Sequence, residues 1–416
     1  MPLAESLDER VARVVNATPV QDIHTHLYDP SFGSLLLWGL DDQLIYHYLV
    51  SESFRYSDLP YDRFWSASKS EQAEQVWRTL FVERSPVSEA CRGVLTTLQA
   101  FGLDPRERDL PALRRWFQDQ KPADFVDRVL QLANVDSVCM TNSPFDDEER
   151  AYWEKRPARD PRFRSALRID PLLLAWSASA NRLRSWGYAV SDELNAATAG
   201  EARRFLAEWT QRIGSIYCMV SLPPTFQFPA KTEAAWLIEN VVLPHCRDFG
   251  QPFALMMGVK RAVNPALRMA GDGVGLSDLS ALANLCSAHP QNKFLVTCLA
   301  RENQHELVVL ARKFRNLHPF GCWWFTNTPQ LIREITTMRL ELLGTSFTPQ
   351  HSDARVLDQL IYKWKHTRAE LTRCLAAKYA GLEAASWPVT DAEIARDVRA
   401  LLGGAFAEFC GRPGEK

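Results

Sequence analysis

Short apolar runs rich in β-branched and aromatic residues recur along the chain, separated by longer stretches of amphipathic character. The runs predict strands ending near His24, Met140, Arg168 and Val220, with four more over 253–257, 294–298, 317–325 and 342–347. Helical patterns fill most of the gaps, over 230–242, 276–288, 302–314, 330–338 and 356–379, with a last one over 391–409. Strands alternating with helices imply a parallel sheet joined by right-handed crossovers. Eight strands are the number of a closed (β/α)8 TIM-like barrel, whose site is built from loops at the carboxyl ends of the strands. A doubly wound open sheet competes, but no Gly-x-Gly-x-x-Gly loop follows any strand, so the α/β barrel is favoured.

One interval breaks the alternation. About a hundred residues lie between the first strand and the second, far more than a crossover needs. Their pattern is helical, over 62–81, 88–101, 110–118 and 123–132, and rich in Trp and Arg. The expected organisation is a barrel from 1–29 and 134–416, with 30–133 inserted as a helical cap over its mouth.

Composition narrows the partners. Of 416 residues, 46% are hydrophobic and 24% charged, and the formal net charge is −2. No long-range field points to nucleic acid or an anionic membrane, and no apolar run is long enough to span a bilayer. Nine scattered cysteines without a Cys-x-x-Cys pair read as reduced thiols, so a cytoplasmic location is expected. Assembly into a homo-oligomer is left open.

Candidate chemistry begins at Asp22-Ile23-His24-Thr25-His26, closing the first predicted strand. Alternate strand residues share a face, so His24 and His26 are placed to bind one divalent cation. An isolated His-x-His is a weak motif; its position at the carboxyl end of the first strand strengthens it. Asp353, after the eighth predicted strand, reads by itself as a helix cap. In a barrel, strands one and eight are neighbours, and Asp353 would face both histidines.

With these residues on the page the chain resembles the uronate isomerases (glucuronate isomerases) of the amidohydrolase superfamily. The resemblance is carried by Asp22 to Leu27, His47-Tyr48-Leu49, Leu167-Arg168, Met257-Gly258-Val259-Lys260-Arg261, Cys298-Leu299 and Arg301-Glu302-Asn303. It continues through Gly321-Cys322-Trp323-Trp324-Phe325 and Asp353-Ala354-Arg355, spanning about residues 19 to 375. It implies a distorted (β/α)8 barrel with one divalent metal on His24, His26 and Asp353, zinc by default, with manganese, iron and cobalt accepting the same donors. The implied reaction interconverts D-glucuronate with D-fructuronate and D-galacturonate with D-tagaturonate.

The residue types suit a small-molecule sugar acid. Arg168 and Arg355, at predicted strand ends, offer guanidinium groups that pair bidentately with a carboxylate. His47 and Tyr48 open the insertion, where His47 is expected to carry a proton near its ordinary pKa and Tyr48 to bond a substrate oxygen, with Asp353 the third candidate for proton transfer. Trp323 and Trp324 are expected to wall the sugar face, and His351 to join the substrate contacts. Two departures stand against the family pattern. Met256-Met257 occupies the place of a strand-five histidine, and Val220-Ser221-Leu222-Pro223-Pro224 that of an Asp-His pair after strand four. Three readings follow: a metal-dependent hexuronate isomerase, ranked first; a superfamily hydrolase of a sugar lactone or other carboxylated substrate; and a weakly active sugar-acid-binding relative.

Overall fold

The computed structural model describes residues 5–155 and 158–411, so the outermost residues of the expected barrel, 1–4 and 412–416, lie outside the described residues. One parallel sheet takes its strands in chain order: β1 (Val20–Thr25), β2 (Val135–Asn142), β3 (Phe163–Arg168), β4 (Ser215–Leu222) and β5 (Phe253–Met257). A small antiparallel hairpin, β6 (Val259–Lys260) and β7 (Gly273–Val274), interrupts the order before β8 (Phe294–Cys298) and β9 (Leu317–Pro319) complete the sheet. The strands are buried on both faces, which is why they read as near-continuous apolar runs. One face packs on the helices. The other curls around a second buried cluster to which successive strands contribute Ile23, Cys139, Ala166, Met219, Ala254 and Leu295.

The eighth predicted strand is corrected. Residues 342–347 are not a strand: Leu342 and Leu343 finish the helix Pro329–Leu343, and Gly344 stops it in a left-handed conformation at φ 61. The segment that lies between β9 and β1 comes later and is polar, running from Thr348 to Ala354. On one side Thr348 N donates to Pro319 O at 3.1 Å and Gly321 N to Thr348 O at 2.9 Å. On the other, Asp353 N donates to His24 O at 3.2 Å and His26 N to Ala354 O at 2.7 Å. Period-based reading misses it because its side chains bond to neighbouring segments instead of packing as an apolar stripe. The seventh predicted strand is likewise cut to Leu317–Pro319. Gly321 turns the chain there at φ 70, and a Cβ at that position would lie 1.9 Å from the His351 ring.

Helices fill 40–133 between β1 and β2, as expected. Several polar ties attach them to the rest of the chain. Asp358, at the start of the helix Gln359–Ala384, accepts from Gly39 N at 3.0 Å and from Gln43 Nε2. Trp65 Nε1 donates 2.8 Å to Ala266 O, in the loop between β6 and β7. A buried ion pair, Lys363 to Glu89 at 3.2 Å, ties the inserted helix Glu89–Ala100 to Gln359–Ala384.

Candidate active site

The carboxyl end of β1 is not a regular strand. Asp22 pairs with Val138 and Thr25 with Met140, so three steps along β1 run opposite two on β2. This bulge re-aims the side chains that follow. His24 is fully buried and His26 stands just beyond the strand, yet both Nε2 atoms converge on Asp353 Oδ1, at 3.5 and 3.4 Å. Asp353 reaches them from a left-handed backbone at φ 54, at a cost of about 1–2 kcal/mol.

Neighbouring hydroxyls set the tautomer of each imidazole. Tyr217 Oη donates to Ile23 O at 2.8 Å, so at 3.3 Å from His24 Nδ1 it is left to accept. Thr141 Oγ1 donates to Thr25 O at 3.1 Å and lies 2.9 Å from His26 Nδ1, again as acceptor. Both rings therefore hold their proton on Nδ1 and present a bare Nε2 lone pair toward Asp353. His24 Nε2 and Asp353 Oδ1 are buried with no hydrogen-bond partner. Burial pushes the His26 imidazole down to about 3, keeping it neutral.

Two imidazoles and a carboxylate, with ligand atoms within 4.8 Å of one another, form a donor set that could hold a metal ion. The 3.4–3.5 Å separations match the edge, about 3.4 Å, of a tetrahedron around an ion with bonds near 2.1 Å. Asp22, which sequence reading left without a role, stitches this corner together. It accepts from Ser352 N at 3.1 Å and from Trp364 Nε1 at 2.9 Å, and burial lifts its carboxyl to about 6.

The remaining expected residues divide. His47 opens the inserted helix His47–Ser53, its ring 5.2 Å from Trp324 and 4.4 Å from Tyr48, and both its nitrogens are buried without partners. Burial first, and the charge of Arg355 second, push His47 down to about 3, against the ordinary value expected from sequence. Tyr48 is held well above its usual pKa by burial and by Tyr46, a buried neighbour that sequence reading did not single out. Arg355 lies near enough to act electrostatically on His26, Tyr28 and His47, and its guanidinium forms no ion pair among the described residues. Arg168 differs: Nε and Nη2 clasp Asp170 at 3.0 and 3.1 Å.

His351 has no exposed surface and packs edge-on against His24, centroids 4.9 Å apart. Trp323 is 4% exposed within the inner cluster and is core. Trp324, at φ 47, stacks on Phe325, which is 39% exposed beside Tyr48.

Solved structures with the same fold supply the context. A uronate isomerase from Bacillus halodurans C-125 matches with 52% identity and a TM-score of 0.97, covering 98% of this chain and 97% of that one. The chain belongs to the uronate isomerase family. Two further members share the fold at 14% identity. The uronate isomerase of Thermotoga maritima has a TM-score of 0.79 over 98% of this chain and 99% of its own. The glucuronate isomerase of Caulobacter crescentus has 0.67 over 99% and 97%. No protein-family model matches the chain, and no curated protein does. Among the described residues no helix is long and apolar enough to cross a membrane.

Proposed function

We propose that this chain is a metal-dependent isomerase of hexuronates, interconverting D-glucuronate with D-fructuronate and D-galacturonate with D-tagaturonate. The observation that carries the reading is the 52% identity to a uronate isomerase over nearly the whole of both chains. The seven-stranded sheet is completed by residues 348–354 into a (β/α)8 barrel, supported by their hydrogen bonds to both β9 and β1. Residues 30–133 form a cap over the carboxyl ends, supported by their attachments at Asp358 and Ala266. His24, His26 and Asp353 hold one divalent ion, zinc by donor preference. Eight buried cysteines outside any disulfide fit a cytoplasmic enzyme of carbohydrate metabolism.

The bound ion would supply a Lewis acid for a substrate oxygen. The chain's own groups do the rest. Arg355, with no competing carboxylate, grips the substrate carboxylate, and Arg168 adds its remaining donors while Asp170 keeps its fork oriented. Tyr48 hydrogen-bonds a substrate oxygen. His47 takes the proton from one carbon and returns it to the next, through an enediolate. A carboxylate pairing with Arg355 neutralises one of the charges that, after burial, hold the imidazole neutral, so proton affinity rises once substrate is seated. Trp324 and Phe325 exclude water from one side. The test is NMR in deuterated buffer on metal-loaded protein, with a panel of uronates and aldonolactones. Deuterium on carbon supports the isomerase; lactone opening without exchange would replace it with the hydrolase reading.

A further inference from the structure

The Glu149 carboxylate is 1% exposed, in the helix Asp147–Glu154 that follows β2. Four donors surround it. Asn142 Nδ2 at 2.7 Å and Trp153 Nε1 at 3.1 Å meet Oε1; Ser143 N at 3.0 Å and Tyr28 Oη at 3.2 Å meet Oε2. An indole N–H and a backbone N–H can only donate, so each oxygen already carries an obligate donor and Glu149 acts as acceptor for Tyr28. Three of the four donors belong to β2 and its own helix. The fourth comes from across the rim, two residues beyond His26.

Tyr28 is half-buried and lies close enough to both Arg168 and Arg355 to interact electrostatically with each. Its single O–H is committed to Glu149, so toward the arginines it offers only oxygen lone pairs. Two guanidinium groups have no lone pairs to offer and cannot accept from a sugar hydroxyl. Beside them, the phenol oxygen is an acceptor.

We propose that Tyr28, its polarity set by Glu149, accepts a hydrogen bond from a hydroxyl of the sugar acid whose carboxylate the two arginines hold. Tyr28 is then a specificity-determining contact and Glu149 a positioning residue acting through it. This rests on the reading of the site as a sugar-acid site. A site built to bond a hydroxyl discriminates against acids that lack one, because its acceptor is then left unpaired.

The experiment uses full-length, metal-loaded protein with metal content checked in every sample. Calorimetry at pH 8, above the value near 7 to which burial lifts the Glu149 carboxyl, measures binding of D-gluconate, which is polyhydroxylated and cannot isomerise, and of hexanoate, which has no hydroxyl. Tyr28→Phe is expected to weaken gluconate about tenfold and leave hexanoate unchanged. Glu149→Gln should do the same in the native background and cost nothing further in the Tyr28→Phe background. Equal loss for both acids, no loss for either, or an undiminished Glu149→Gln effect in the double variant would overturn the inference. Should Glu149→Gln fail to fold, the Tyr28→Phe arm decides alone. Native protein that neither binds gluconate nor turns over any uronate would instead bring down the sugar-acid reading, and this inference with it.

Discussion

Two stretches of the same rim differ in kind. Where β1 meets residues 348–354, buried donor atoms stand without partners: His24 Nε2, Asp353 Oδ1 and both nitrogens of nearby His47. Where β4 and β5 end, Leu222, Met256 and Met257 are at most 1% exposed, and the polar tie there is Ser221 N to Asp170 at 3.3 Å. An unpaired buried polar atom costs about 1–3 kcal/mol, a cost a fold retains where a ligand repays it. Methionine and leucine incur no such cost and can neither hold a proton nor suit a hard cation. On the proposed reading the chemistry belongs to the β1 side of the rim and the ends of β4 and β5 form a wall.

The sharpest way to break this contrast is at a ligand. His26→Ala should lose tight metal retention and lower turnover by on the order of a thousandfold, the several kcal/mol a Lewis acid supplies. Metal analysis of the purified variant indistinguishable from the parent would place the site elsewhere. Next comes the proton carrier: His47→Gln keeps size and polarity but cannot cycle a proton, and turnover should fall about a hundredfold or more with normal metal content. A loss of only a few-fold would make His47 a brace for the cap.

Arg355→Ala should cost on the order of 2–5 kcal/mol in kcat/KM on a uronate, because a buried substrate charge is left unpaired. An unchanged ratio would reject the grip. A smaller effect distinguishes the rim imidazoles from one away from it. His318, in β9, bonds Thr348 Oγ1 at 2.9 Å and is driven by burial from 6.5 to about 3. The folded chain then binds fewer protons at this site than the unfolded chain between those values. Its stability contribution is complete above pH 6.5 and is lost as pH falls toward 3, by up to about 1.4 kcal/mol per unit. Thermal melts of His318→Asn should show a shallower pH slope over that window than the parent; parallel slopes would contradict it. Smallest of all, Met256→Leu on the apolar side should change stability by less than about 1.5 kcal/mol and activity by a few-fold at most. If it crippled turnover, the wall would be part of the machinery.

Much of this was legible before the fold was seen, wherever a signal is local. Apolar runs buried on both faces mark β1 to β5 and β8 to within a few residues, because burial selects side chains one position at a time. His24, His26 and Asp353 stand out because few residue types ligate a metal, and barrel order alone makes the first and last strands neighbours. What the tertiary structure decided is everything that depends on partners far apart in the chain. Thr348 to Ala354 is placed between β9 and β1 by the hydrogen bonds they share, not by its own apolar content. Tyr217, 193 residues from His24, and Thr141, 115 from His26, set which imidazole nitrogen is bare. His351 reads as a pocket residue in a polar loop, yet lies wholly buried behind His24. Glu149 reads as one more acid in an acidic helix start and becomes the anchor of Tyr28. Hydrogen-bond polarity and proton affinity are set by what surrounds a group once water is gone, and folding alone assembles those surroundings.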